Sequence, residues 1–221
     1  MKIIIPARAG SKRIPNKNIV DLAGRPLISY VIQASLTITP EVYVSTDSLK
    51  IKKVAEMHGA KSIQRPPQLA TDISSMNSVI GHFLEVVDGA DHFACVQPTT
   101  PLLAPSYLRK GFDKIQEKSF NSVISVTKNT SFFWDEGGKP VNFEKNERPR
   151  TQDMRGWYTE NGAFYITTKN NFLKTNNLVN GNVGFIMMPQ MMSFEIDTYE
   201  DLELVNVLCT MQNQMACKRW A

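Results

Sequence analysis

The stretch KIIIPARAGSKRIPNKN, residues 2–18, starts as a short apolar run and breaks into a basic loop. Lys2 to Ile5 have the β-branched character of a buried strand. Pro6 to Asn18 then set Gly, Ser, Pro and Asn among four cations, Arg8, Lys12, Arg13 and Lys17. In open α/β sheets ligands bind beyond the carboxyl ends of the strands, so the loop after a first strand is a favoured site. Small residues let backbone N–H groups come close to an anion, and Arg8, Lys12 and Lys17 can neutralise phosphate charge. The loop therefore reads either as a cradle for a polyanion such as a triphosphate or as a solvated basic turn. Two commoner phosphate motifs do not apply: GxGxxG needs three glycines where the loop has Gly10 alone, and GxxxxGK[ST] occurs nowhere in the chain.

Outward from this loop, β-type runs alternate with helix-length segments. The runs are EVYVST (41–46), AKSI (60–63), HFACVQ (92–97), SVISVT (122–127), AFYIT (163–167), GFIMM (184–188) and FEID (194–197). Over residues 26–36, Pro26 marks a helix start and Leu27, Ile28, Val31 and Ile32 share one face. Ile51, Val54 and Ala55 give a similar stripe that Gly59 should cap. Segments 74–87 and 105–118 continue the series, and a last helix begins at Thr198. Strands separated by single helices predict parallel pairing through right-handed crossovers, hence an open, mostly parallel α/β sheet flanked by helices. Residues 128–160 break the rhythm with turns, charges and aromatics and read as an insertion. Its run Phe132-Phe133-Trp134 either packs as a loop cluster on the sheet or forms part of a subunit contact.

The 221 residues suit one α/β domain with an appended piece, large enough to bury a core without metal or disulfide staples. Three cysteines without CxxC spacing give neither a disulfide framework nor a zinc site, and fit a reducing, cytoplasmic setting. No run reaches the ~20 apolar residues of a membrane span, and three isoleucines before Pro6 are too short for a signal-peptide core. A net charge of +4, scattered apart from the first loop, reads as solvated surface and not as a nucleic-acid face. His58, His82 and His92 have no carboxylate partner in any motif and read as structural, as does the methionine-rich MMPQMM (187–192). The tail MQNQMACKRWA (211–221) is assigned no role.

Two further motifs bear chemistry. QPTTP (97–101) follows a strand, so Gln97, Thr99 and Thr100 offer uncharged hydrogen-bonding groups suited to a polyhydroxylated sugar, or form a Pro-stiffened turn. In EIDT (195–198), Glu195 and Asp197 alternate on the expected strand and would share a face. Two carboxylates there could hold Mg²⁺ together with water and phosphate oxygens. Thr198 is also a good helix N-cap.

The run IIIPARAGSKRIPNKNIVDLAGRPLI (3–28) resembles the opening signature of the CMP-sialic acid synthetases, the acylneuraminate cytidylyltransferases, whose usual form is close to ARGGSKGIPxKNI followed by GxPLI. VSTD (44–47), RPPQLATD (65–72), RPRTQD (148–153), YTENGAFYIT (158–167) and EIDTYEDL (195–202) continue the likeness in order over roughly residues 1–208. The resemblance implies a single Rossmann-like domain over residues 1–221, of the nucleotide-diphospho-sugar transferase type, with 128–160 as a small dimerisation insertion. It implies CTP and a nonulosonic (sialic-type) acid such as N-acetylneuraminate or Kdn as substrates, Mg²⁺ as cofactor, and a homodimer. Arg8, Ser11, Lys12, Lys17, Asn18 and Arg65 would contact the nucleotide. Gln97, Thr99, Asn161 and Tyr165 would hold the sugar, and Asp197 with Glu195 the metal. Arg8, Lys12, Lys17 and Asp197 would carry the catalysis, and no residue stands out as a general base.

The chain departs from the family form twice. Glu195 replaces an aspartate, which makes Asp197 the safer metal ligand, and Thr151 stands where a second arginine is usual. SKRIP and RTQD are similar to pseudaminic acid cytidylyltransferases, so pseudaminic or legionaminic acid remains an alternative substrate. A non-catalytic sugar-nucleotide-binding protein is the alternative from another class.

Overall fold

The computed structural model describes residues 1–154 and 156–218, with side chains described as far as residue 211. Most of the tail set apart above therefore lies outside the described side chains. In chain order the elements are β1 (Lys2–Pro6), β2 (Asp21–Leu22), β3 (Arg25–Pro26), α1 (Leu27–Leu36), β4 (Val42–Thr46), α2 (Leu49–Met57), β5 (Lys61–Gln64) and α3 (Met76–Val86). Then follow β6 (His92–Val96), α4 (Pro105–Gln116), β7 (Ser122–Asn129), β8 (Trp157–Thr168), α5 (Lys169–Thr175), β9 (Val183–Met187) and α6 (Tyr199–Lys218).

Seven strands form one sheet in the order β5-β4-β1-β6-β8-β7-β9. β1 pairs in parallel with β4 and β6, placing its basic loop at the middle of the carboxyl edge. The expected helical faces are present: Leu27, Ile28, Val31 and Ile32 are fully buried, each stabilising the fold by about 1.5–3 kcal/mol. Gly59, at φ 89°, ends α2 as expected. Its N–H donates to Glu56 O at 3.0 Å and the Ala60 N–H donates to Ala55 O at 3.0 Å, the two bonds of a Schellman cap.

Three expectations need correction. β8 runs antiparallel to both β6 and β7, because the chain returns from β7 without a crossover helix. The insertion is shorter than 128–160: β7 extends to Asn129 and β8 begins at Trp157, the pair continuing past an irregularity between Ile124 and Val126. Residues 194–197 form no strand; the Ile196 N–H donates to Thr99 O at 2.8 Å, so this segment is tied to the loop after β6 and not to a sheet edge. Sequence pattern also missed α5 and the two-residue ribbon β2–β3, both too short to show a period.

The core has three parts. One fills the face under α1, α2 and α4, including Ile3, Val31, Phe112 and Phe164. A second, with Phe83, Phe93 and Phe172, fills the opposite face under α3 and α5. The third packs Ile14 and Ile196 with Leu22, Leu27, Val205 and Cys209 under the ribbon and α6. This third cluster positions the site, because Ile14 belongs to the basic loop and Ile196 lies between Glu195 and Asp197.

Candidate active site

The basic loop is tied to the end of β4. The Ala7 N–H donates to Ser45 O at 2.9 Å and the Ala9 N–H to Asp47 Oδ1 at 2.9 Å. Asn16 takes a left-handed backbone at φ 53°, and the Lys17 N–H closes back on Ile14 O at 3.1 Å. Asn18 is buried and its amide donates to Arg8 O at 3.0 Å, fixing the backbone from which Arg8 projects.

Four cations of the loop rest on two carboxylates. Arg8 Nη1 and Lys12 Nζ lie 2.6 and 2.7 Å from the two oxygens of Asp72. Lys17 Nζ and Arg13 Nη1 lie 2.8 and 3.0 Å from the two oxygens of Asp197. Lys17 also donates to Ile196 O at 2.9 Å and is the most buried of the four, its side chain 16 % exposed. The Lys17 ammonium, followed by Arg13, holds the Asp197 carboxyl below the usual carboxylate range.

Arg8, Ser11, Lys12, Lys17, Asn18, Arg65, Gln97, Thr99 and Asp197 all line one cavity of about 400 Å³. Arg65 is only 4 % exposed; its Nη2 donates to Ser45 O at 2.7 Å and its Nε to Ser45 Oγ at 3.2 Å. Burial pushes its guanidinium below its ordinary pKa, while Asp47 opposes that shift. A buried arginine held on one edge leaves the rest of its fork for a ligand.

The residues expected on the sugar side divide. Gln97 and Thr99 line the cavity above, whereas Asn161 lines a second one of about 350 Å³ with Thr127, Glu160, Gln190 and Ser193. The Asn161 amide donates to Ser193 Oγ at 2.9 Å and to Thr127 Oγ1 at 3.3 Å. Tyr165 lines neither; it packs against the second core part, and its hydroxyl donates to Glu160 Oε2 at 3.2 Å. Burial, followed by Glu160, raises its pKa, so it stays a neutral donor.

Glu195 lies between the two groups of residues. The Thr99 hydroxyl donates to its Oε1 at 2.9 Å. On its other side is Gly162, at φ 68°, where an added Cβ would come within 3.3 Å of Glu195 Oε2. Glycine there meets both the backbone conformation and the close approach.

Mg²⁺ takes one or two carboxylates and completes its shell from triphosphate and water, so Asp197 on the cavity wall could hold it only in exchange for the contacts that Lys17 and Arg13 make to its two oxygens. Among the described residues no cluster of three or more His, Cys, Asp or Glu side chains forms a protein-only metal cage. Sequence reasoning left Arg13, Asp47, Ser45 and Asp72 without roles. VSTD at the end of β4 was the available signal for Ser45 and Asp47. Nothing local pairs Asp72 with a loop 60 residues earlier.

This fold and site define a class: an α/β protein with a basic loop at the carboxyl edge of its sheet. The chain belongs to the cytidylyltransferase family, whose model matches residues 2–218. It is 33 % identical over 226 residues to the pseudaminic acid cytidylyltransferase of Campylobacter jejuni, covering 96 % of this chain and 97 % of that one. It is 36 % identical over 202 residues to N-acylneuraminate cytidylyltransferase B of Danio rerio, covering 88 % of this chain but 48 % of that protein, about half its length. Its fold matches a solved CMP:2-keto-3-deoxy-manno-octonic acid synthetase complexed with CTP, at TM-score 0.71 and 19 % identity over 96 % of this chain and 98 % of that one. It also matches 4-diphosphocytidyl-2C-methyl-D-erythritol synthase from Anaerococcus prevotii, at TM-score 0.67 and 14 % identity over 94 % and 97 % of the two chains.

Proposed function

We propose that this cytidylyltransferase moves CMP from CTP to the anomeric hydroxyl of a nonulosonic acid, N-acetylneuraminate or Kdn. The observation that carries the reading is the 400 Å³ cavity, which is lined both by the loop's cations and by the uncharged Gln97 and Thr99. The hydroxyl oxygen attacks the α-phosphorus and loses its proton to water; the bond from the α-phosphorus to the oxygen bridging it to the β-phosphate breaks and pyrophosphate leaves. Such transfer needs mainly positioning and neutralisation of charge, which Arg8, Lys12 and Lys17 supply to the phosphates while Asn18 and Arg65 orient the nucleotide. Gln97 and Thr99 direct the acceptor, with Asn161 on its far side and Tyr165 holding Glu160. Mg²⁺ held by Asp197, with Glu195 as a second carboxylate, would withdraw charge from the α-phosphate.

Pseudaminic or legionaminic acid is the second acceptor reading. It is supported by Arg150-Thr151-Gln152-Asp153 and by the end-to-end likeness to the Campylobacter jejuni enzyme. The homodimer stays part of the proposal, supported by the exposed apolar side chains Tyr158 on β8 and Phe185 and Met187 on β9, the two strands that flank β7. Among the described residues no helix is long and apolar enough to cross a membrane; the buried free thiols of Cys95 and Cys209 support a cytoplasmic setting.

Pyrophosphate release from CTP and Mg²⁺, measured with N-acetylneuraminate, Kdn, legionaminic acid, pseudaminic acid and Kdo in turn, tests the function. Release with one of the first two supports the main reading and release with legionaminic or pseudaminic acid alone supports the second. No release with any acceptor sinks both and leaves a binding protein.

A further inference from the structure

Asp72 has no place in the chemistry above, yet it occupies two of the cations that chemistry uses. Its carboxylate bridges Arg8 and Lys12, one oxygen on each, at 2.6 and 2.7 Å. It belongs to segment 66–75, whose Leu69, Thr71, Asp72 and Ser74 line the same cavity as the basic loop. The segment is anchored at both ends. The Arg65 N–H donates to Thr46 O at 2.8 Å, and Ser75 caps α3 by accepting from the Ser78 N–H at 3.1 Å. Between these anchors Ile73 is 95 % exposed, and among the described residues only Asp72 joins the segment to the loop by a side-chain ion pair or hydrogen bond. Lys12, followed by Arg8, keeps the Asp72 carboxyl below its usual range, so the bridge is charged at neutral pH.

A polyphosphate must take the same N–H donors, and it brings more negative charge than one carboxylate. The two anions compete for one pair of cations. We propose that Asp72 is a displaceable counter-ion. In the nucleotide-free protein it latches segment 66–75 onto Arg8 and Lys12, and the incoming polyphosphate releases that segment by taking both cations. Apparent affinity is then the intrinsic affinity reduced by the unlatched fraction. After the reaction the returning carboxylate competes with pyrophosphate and hastens its departure. This rests on the reading of the cavity as the CTP site.

The test compares the full chain with D72N by calorimetric titration with inorganic pyrophosphate and with CTP at one ionic strength. Amide hydrogen exchange over residues 70–74 is followed without ligand. The latch predicts that D72N binds pyrophosphate tighter, by roughly three- to tenfold for two partly exposed pairs, and exchanges faster over 70–74. Equal or weaker pyrophosphate binding, or unchanged exchange, overturns it. If D72N does not fold, D72S removes the same charge and is read the same way. If pyrophosphate separates the two proteins as expected but neither binds CTP, the nucleotide reading fails and the latch stands. If CTP binds and D72N gains nothing, the latch alone fails.

Discussion

Asp197 lines the cavity and accepts from Lys17 and Arg13, with its side chain 44 % exposed. Removing its charge takes nothing from the apolar core and loses only the partly exposed pairs with Lys17 and Arg13, so the cost in stability should be small beside the effect on chemistry. Asp197→Asn is expected to lower pyrophosphate release by about 100-fold or more while leaving the melting temperature close to that of the parent. Unchanged turnover would remove Asp197 from the site. Glu41, at the opposite end of the sheet, gives the contrasting case. It accepts from Lys61, Tyr43 and Lys2, and these bonds, Lys61 foremost, bring its pKa down to about 2 from 4.5. A depressed carboxyl pKa contributes stability above about 4.5 that is lost as pH falls towards 2. Glu41→Gln should therefore melt lower than the parent at neutral pH, by roughly 1–3 °C for a partly exposed network, and the gap should close through that window. A gap that persists at pH 2 would assign the loss to packing.

Among the elements, α4 holds a glycine where propensity and packing oppose each other. Alanine would gain about 1 kcal/mol as a helix former. At Gly111, however, an added Cβ would meet Ile166 Cδ1 at 2.6 Å and Phe164 Cε2 at 3.0 Å, both side chains fully buried on β8. Overpacking costs about 1–3 kcal/mol, so Gly111→Ala should be neutral to destabilising in urea titration; a gain of 1 kcal/mol would mean that β8 yields there. The N-terminus of α6 was legible in sequence. The Thr198 Oγ1 accepts from the Asp201 N–H at 3.2 Å and the Asp201 carboxylate accepts from the Thr198 N–H at 2.8 Å, a reciprocal cap. FEID was misread as a strand because alternation alone cannot tell a paired strand from an extended link between two clusters. Likewise the alternation of β8 is interrupted at Asn161-Gly162, which hid the strand's first half.

For the whole molecule, the long β7–β8 pair and the edge strand β9 leave Tyr158, Phe185 and Met187 43–56 % exposed on a sheet that β9 terminates. Phe132 and Trp134 each pack edge-on against Phe143, Arg148 lies over the rings of Phe132 and Phe143, and Phe133 stacks on Trp157, so the aromatic run forms a loop cluster. Light scattering is expected to give twice the chain mass, with Phe185→Lys shifting the population towards monomer; a parent that stays monomeric at high concentration would count against subunits that share a site. The sequence by itself determined the helix-covered sheet, the basic loop at its carboxyl edge and the family, because periodicity, caps and a near-continuous motif are local features. Only the tertiary structure decided the direction of β8, the separation of Asn161 from Gln97 and Thr99, and the pairing of four cations with Asp72 and Asp197. Those depend on contacts between residues far apart in the chain, such as Lys17 with Asp197, 180 positions on. No local pattern encodes them.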